Sequence, residues 1–207
     1  MDRMNNNYLW VGAVTKEIYS FNRLVFAQTY LPKTKFENSY GWQWSPMRII
    51  FDIKEKYLRH KARLVLRGYV VPSSEHTTLL LTIKDISVRF MLMIAVKNGL
   101  VLMAGDTGNA FCTALCVENI LSKCGMNLVQ DFGAIVVLKR ALYGLKNAYK
   151  SFRNFFGEFL RDIGFTSSRA DQDLWLDKSD KYDGYDYIAT HVYDIIIAEN
   201  NPYKYMD

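Results

Sequence analysis

The sequence predicts an α+β fold, a largely antiparallel sheet with helices packed on one face. Three observations lead there. Half of the 207 residues are hydrophobic, enough to bury a core and too many for a disordered chain. Short apolar runs bounded by turn residues recur along the chain, and a few longer stretches carry apolar residues at helical spacing. In order they read as basic hairpin, helix, strand, strand, helix and hairpin, a pattern that fits antiparallel pairing with helical cover.

Each element has its own signal. "YLWVGAVTKEIYSFNRLVF" places apolar residues near helical spacing, and a loop with Pro32, Gly41 and Pro46 follows. "MRIIFDIKEKYLRHKARLVLRGYVV" reads as two basic strands joined by a charged turn, with Gly68 near the end of the second. "DISVRFMLMIAVKNG" reads as a helix with Ile86, Phe90, Ile94 and the Leu92/Val96 pair on its apolar face and Gly99 as its C-cap. "LVLMAG" is a short buried strand running into Asp106, and "NAFCTALCVENILSKCG" predicts the start of a helix. "AIVVLKRALYG" is a strand leading to a turn at Gly144. "NAYKSFRNFFGEFLRDIGF" predicts an amphipathic helix with Phe152, Phe155, Phe156, Phe159 and Ile163 on its apolar side. The chain closes with the strand "LWLDKS" and the hairpin "YIATHVYDIIIAEN".

Composition narrows the function classes. The net charge is +5 and the isoelectric point about 9.0, the sign expected of a nucleic-acid binder and also common among soluble basic proteins. Lys54, Lys56, Arg59, Lys61, Arg63 and Arg67 form one basic cluster, and Lys139, Arg140, Lys146, Lys150, Arg153 and Arg161 a second. Each reads either as a solvated face or as a surface that tracks phosphates. Cys112, Cys116 and Cys124 lack the spacing of a zinc site, and His60, His76 and His191 lie far from them in sequence, so reduced, mostly buried thiols are expected. The polar start "MDRMNNNY" does not read as a signal peptide. The apolar stretch "FMLMIAVKNGLVLMAG" is broken by Lys97, Asn98 and Gly99. A soluble intracellular protein, cytoplasmic or nuclear and not bound to a membrane, is the expectation. No glycine-rich phosphate loop follows a strand, and no Ser-His-Asp or Cys-His set is recognisable.

Two acids stand at strand ends, Asp106 after an apolar strand and Asp194 at the tip of the last hairpin. A buried carboxylate is costly unless it is paired or bound to a cation. Converging on one site, two such acids would suit Mg²⁺, and pairs of these ions drive in-line phosphoryl displacement. The ordinary reading is that Asp106 caps the following helix and Asp194 is a turn residue.

Five segments, in order, resemble a known family. "ALYGLKNAYKSF" resembles the "ALYGLKQAPRAW" segment of Ty1/copia-type retrotransposon reverse transcriptases, and "HKARLVLRGY" their "KARLVARGF" motif. "LMAGDTGNAFCTA" resembles their first catalytic motif, a strand followed by D-V-x-x-A-F. "DIGFTSSRADQDLW" resembles "IGF-x-x-S-x-x-D-x-x-L/W", and "LWVGAVTKEI" the opening "W-x-x-A-x-x-x-E". The matches run from Leu9 to Ala198.

The resemblance implies an RNA-directed DNA polymerase domain with a palm and fingers and no thumb. Residues 1–45 would be an N-terminal extension, 46–100 a fingers-like region and 101–207 a palm-like region, with 46–207 forming one domain. It implies Asp106 and Asp194 as catalytic, metal-holding carboxylates for a two-ion Mg²⁺ site. It also implies Lys61, Arg63, Phe111 and Asn147 as nucleotide-binding residues. Lys61 and Arg63 would hold the triphosphate, and Phe111 would lie under the sugar. The partners implied are an RNA/DNA primer–template and a dNTP, with the second basic cluster positioning phosphates rather than reading sequence.

The chain departs from the pattern at the hairpin. The family carries two adjacent aspartates in "Y/H-V-D-D", whereas this sequence reads "HVYD": Tyr193 replaces the first and Asp194 matches the second. A phenol ionises only near about pH 10 and is a poor substitute for a carboxylate ligand. Asn147-Ala148-Tyr149 replaces "Q-A-P", Phe152 replaces a tryptophan, and the sequence stops at "NPYKYMD" just past the hairpin. A truncated domain of a decaying retroelement, inactive or very weak as a polymerase, is the expectation. The alternatives are a non-enzymatic nucleic-acid-binding relic and a fragment without a role.

Overall fold

A computed structural model of the protein describes residues 8–24, 26–28, 41–54, 59–70, 82–123 and 135–205. Pro32, Lys56, His76 and Cys124 lie outside them. The first elements in chain order are α1 (Leu9–Leu24), β1 (Phe26–Gln28), β2 (Gln43–Trp44), β3 (Met47–Lys54), β4 (Arg59–Leu66), α2 (Asp85–Asn98) and β5 (Val101–Asp106). After them come β6 (Ile120–Lys123), β7 (Ile135–Leu138), α3 (Ala148–Asp162), β8 (Thr166–Ser167), β9 (Leu174–Lys178), β10 (Tyr185–His191) and β11 (Asp194–Glu199). The chain divides into two units, residues 1–78 with 111–152 and residues 79–110 with 153–207. The divisions fall at 78/79, within the short 3₁₀ turn Ala110–Thr113 and within α3.

In the first unit, β3 and β4 form an antiparallel hairpin in which Met47 faces Leu66 and Lys54 faces Arg59. Strict alternation sorts its faces. Ala62, Leu64 and Leu66 are buried, whereas Lys61 and Arg63 are only half-buried on the opposite face. The buried face joins a core of Phe21, Leu64, Leu66, Ile120, Leu138 and Leu142. From α1, Trp10 packs edge-on against Phe51 and His60, with ring centroids 5.0 and 4.3 Å away. The outer edge of β4 is not left open. The Leu64 amide donates to Glu17 Oε1 of α1 at 2.9 Å, and the Leu66 amide to the Tyr143 carbonyl at 2.8 Å. A second sheet has the order β1-β7-β6-β2, antiparallel except for the β2–β6 pair.

The second unit is a five-stranded antiparallel sheet of order β5-β11-β10-β9-β8. One face packs against α2: Met91 and Ala95 meet Leu174, Tyr187, Ala189 and Ala198. The other packs against α3: Leu160 and Phe156 meet Trp175, Ile188, Ile195 and Ile197. Helices therefore cover both faces, which corrects the expectation of one. The reason lies in the strands: "IIIA" and "LWL" are apolar at successive positions, so both faces need cover.

Two helix expectations change as well. α2 buries Met91 and Ala95, while Ile86, Phe90 and Val96 stay more than half exposed. Its apolar residues run around the whole helix, so spacing alone names no single inner face. Gly99 caps it as expected, in the left-handed region at φ 65°. On α3, Phe152 and Leu160 are buried but Phe155 and Phe159 lie outside. Gly157, mid-helix, lets the Trp175 ring approach: a Cβ there would lie 3.2 Å from it. The predicted helix after Asp106 is a single 3₁₀ turn, Ala110–Thr113, followed by β6.

Two loop features fix these units. Gly144, at φ 94°, runs against the end of β4: a Cβ there would sit 2.0 Å from the Leu66 carbonyl oxygen, and one on Gly68 would sit 1.8 Å from the Gly144 oxygen. Asp171 stands in for a missing cap on α2. Its Oδ2 accepts from the Lys84 amide at 2.9 Å and from Ser87 Oγ at 2.6 Å, while Lys84, the N-cap residue, caps nothing with its own side chain. Burial pushes this carboxyl up, but hydrogen bonds from Ser87 and from the Lys84 and Asp173 amides outweigh it and hold the carboxyl below its ordinary range.

Gly144→Ala should cost on the order of 3 kcal/mol in denaturant unfolding, because it adds both φ strain and a backbone clash. Gly12→Ala, in open space on α1, should be neutral or stabilise by up to about 1 kcal/mol. Asp171→Asn should cost about 1–2 kcal/mol near neutral pH. A depressed carboxyl contributes its stability above the unfolded-state pKa and loses it as pH falls through the folded one. The gap between wild type and variant should therefore close on acidification, as read from unfolding curves at stepped pH.

Candidate active site

The last hairpin turns in two residues. β10 and β11 pair antiparallel with His191 opposite Asp194, leaving Val192 and Tyr193 as the turn. Val192 has φ 57°, a left-handed conformation that is strained for a β-branched residue, and Tyr193 does not share it. This sign pattern belongs to a type II′ turn, whose twist matches that of the flanking strands.

On its other side β11 pairs with β5, and Asp194 lies directly opposite Asp106. Two bonding patterns define the pair. His191 and Asp194 close the two-residue turn, so the peptide groups of Asp194 point toward β10. The Thr107 amide donates to the Tyr193 carbonyl at 2.8 Å, which places the β5–β11 bonds one residue away. Asp106 and Asp194 are thus a non-hydrogen-bonded pair, the kind whose Cα atoms approach to about 4.5 Å and whose side chains lie closest. Alternation puts both on the α2 side of the sheet, in line with Ala104 and Ile196 and with His191 on β10.

Both carboxylates are exposed, so the burial cost weighed from sequence does not arise here. What remains is repulsion between like charges directly opposite one another. A divalent cation held between them, completing its shell with water or phosphate oxygens, would offset that repulsion, and oxygen-only ligands suit Mg²⁺. The two carboxylates fit one such ion. Among the described residues no group of three or more His, Cys, Asp or Glu is placed to hold a metal. Tyr193, 39% exposed, brings no carboxylate to the turn.

His191 was not singled out from sequence. A two-residue turn at 192–193 would have sufficed to find it, since the residue before such a turn pairs with the one after it.

The other predicted residues lie in the first unit. Lys61 and Arg63 share the outer face of the β3–β4 hairpin, with Asp52 opposite Lys61 and Ile50 opposite Arg63. They also act on Glu17. Burial raises that carboxyl, the Leu64 amide and the charges of Lys61 and Arg63 lower it, and burial prevails. Phe111 is half-buried, edge-on to Tyr143 and Phe152 with centroids 5.1 and 6.2 Å away. Phe152 is buried and completes that aromatic cluster. Asn147 Nδ2 donates to Glu118 Oε1 at 2.7 Å. Cys112 and Cys116 are free thiols, each pushed up to about 12 by burial and by the nearby charge of Glu17 or Glu118.

The second basic cluster is partly committed to internal bonds. An Arg140 guanidinium nitrogen donates to the Thr113 carbonyl, Arg153 pairs with Asp173 at 2.7 Å, and Arg161 lies over the Trp175 ring. Among the described residues no helix is long and apolar enough to cross a membrane.

A family profile described as "Reverse transcriptase (RNA-dependent DNA polymerase)" matches residues 30–206. The chain is 30% identical over 148 residues to the Retrovirus-related Pol polyprotein from transposon RE1 of Arabidopsis thaliana, covering 70% of this chain and 10% of that protein. It is 29% identical over 147 residues to the corresponding polyprotein from transposon RE2 of the same plant, covering 69% and 10%. The chain thus spans about a tenth of the length of these curated relatives. With the profile covering most of the sequence, and with two Pol polyproteins of transposons among its relatives, the chain belongs to the reverse transcriptase (RNA-dependent DNA polymerase) family and is a domain of the copia type.

Proposed function

We propose that this domain is built for RNA-directed DNA synthesis and that Tyr193 leaves it inactive or very weak. The observation that carries the reading is the cross-strand pair of Asp106 and Asp194 beside a turn where the family pattern asks for one more aspartate. The two carboxylates would hold Mg²⁺, which in this chemistry neutralises charge on the phosphoryl oxygens. A second ion needs more oxygen ligands, and a neutral phenol at 193 supplies a poor one.

The remaining assignments follow the family pattern. Lys61 and Arg63, held on the outer face of the β3–β4 hairpin, would bind the triphosphate of a dNTP. Phe111, wedged against Tyr143 and Phe152, has the fixed aromatic ring that sensing a sugar requires. Asn147 would contact the nucleotide only by giving up or sharing its bond to Glu118. The hairpin belongs to a fingers-like region (46–100), and the five-stranded sheet with Asp106 and Asp194 to a palm-like one (101–207). The partner is an RNA/DNA primer–template.

Primer extension on an RNA template, with Mg²⁺ and then Mn²⁺, tests this. Wild type should give little or no product. Tyr193→Asp should extend the primer, and adding Asp106→Ala should abolish the gain. Wild type extending as fast as Tyr193→Asp would overturn the assignment of Tyr193. Loss of one ligand carboxylate is expected to lower the rate by at least about a hundredfold, the scale of removing one preorganised electrostatic group.

A further inference from the structure

One concave site in the second unit shares no residue with the carboxylate pair. A groove of about 540 Å³ lies between α3 and the segment joining β8 to β9, with Arg153, Arg161, Arg169, Gly157, Gln172 and Trp175 among its lining residues. That volume falls in the range of small-ligand pockets. Three arginines face one acidic residue, Glu158, around it.

Its corners are built rather than loose. Arg153 is fixed as a wall by Asp173 at 2.7 Å and by Gln172 at 3.2 Å. The loop from 167 to 174 is tied by Ser167 Oγ to the Gln172 carbonyl at 2.8 Å and by the Ser168 amide to the Leu174 carbonyl at 2.8 Å. Arg161 lies 5.4 Å from the centroid of the Trp175 ring. Gly157 leaves the space beside that ring which a side chain would take.

The second observation is independent of the charge. Trp175 is 4% exposed, and its indole Nε1 is buried with no hydrogen-bond partner. A buried donor without an acceptor costs stability, so a native structure that keeps one invites a ligand to complete it. Trp175 lines the groove, so a ligand there could bring the acceptor it lacks, and the surrounding guanidinium groups favour an anion. Arginine forks match the oxygens of phosphate, and a preformed wall lowers the ordering cost of binding.

From this we infer that the groove is a phosphate-binding site, with Arg161 and Arg169 holding the anion and Trp175 Nε1 donating to one of its oxygens. The phosphate belongs either to a free nucleotide or to the backbone of a nucleic-acid strand. No residue of the groove belongs to the carboxylate pair, so the free-nucleotide outcome stands apart from the polymerase reading, whereas the strand outcome rests on it, because Arg153 and Arg161 belong to the second basic cluster.

The test follows the Trp175 indole N–H resonance of the ¹⁵N-labelled full chain, assigned with Trp175→Phe. Inorganic phosphate, a nucleoside monophosphate, a short single-stranded oligonucleotide and an acidic peptide are titrated separately at matched ionic strength, with chloride as the control. The phosphate-bearing titrants should shift the resonance saturably. Arg169→Ala, an exposed change that leaves the core intact, should raise the midpoint about tenfold, the equivalent of one charge-assisted bond. Asp106→Asn should leave the response unchanged, so failure of the active-site reading and failure of this one are distinguishable. A response to the monophosphate assigns the free nucleotide, and one confined to the oligonucleotide assigns the strand. A resonance that no phosphate compound moves, that chloride or the peptide moves equally, or that is indifferent to Arg169→Ala overturns the site.

Discussion

The register between β5 and β11 is the constraint on which the second unit depends. Side chains alternate with a period of two, so a slip of one residue would send Ile195 and Ile197 to the face of α2 and Ile196 and Ala198 to that of α3. Both cores would then be repacked at once, which holds the pairing firmly. The same register places Asp106 opposite Asp194. Two like charges would not choose that arrangement for themselves. It is imposed on them by the apolar residues behind, which is how a sheet can hold an electrostatically unfavourable pair in place.

The first unit depends on a different contact, where backbone passes backbone. Gly144 of "ALYGLK" and Gly68 of "RLVLRGY" leave no room for a Cβ on either, and Tyr143 bonds the amide of Leu66 beside them. Two segments recognisable in the sequence as family motifs are thus explained partly by packing against each other. α1 closes the rest of that edge through Glu17, although the family match begins only at residue 30. The carboxylate does this at a cost in burial, which the Leu64 amide and the charges of Lys61 and Arg63 partly offset.

Local signals were legible, and signals of direction were not. Gly99, the two-stranded basic hairpin, the turn at Gly144 and the closing hairpin all follow from residues within a few positions of one another, and all are found. Of the expected inner face of α2, Leu92 and Ile94 pack inward but Ile86, Phe90 and Val96 do not, because they are as apolar as the buried Met91 and Ala95 and only the sheet decides between them. "NAFCTALC" has the composition of a helix, yet tertiary pairing of Leu115 with Arg140 draws it into an extended path after one 3₁₀ turn. Asp171 was visible only as a motif letter, since its partners, Lys84 and Ser87, lie more than eighty residues away. The acid pair itself was legible as two strand ends, but its exposure and its face were properties of the sheet.

The substitution at 193 can be weighed on the same terms. Turn side chains contribute little to the register, which is set by the isoleucines of β11 and by the strained Val192, so the sheet accommodates tyrosine. An aspartate there would add a third negative charge at a sheet end that already carries Asp106 and Asp194, with His191 directly across from Asp194. Active sites are commonly held at some expense of stability, and removing one charge from such a cluster relaxes it. Removing a carboxylate and relaxing that charge cluster would therefore be the same event at this position.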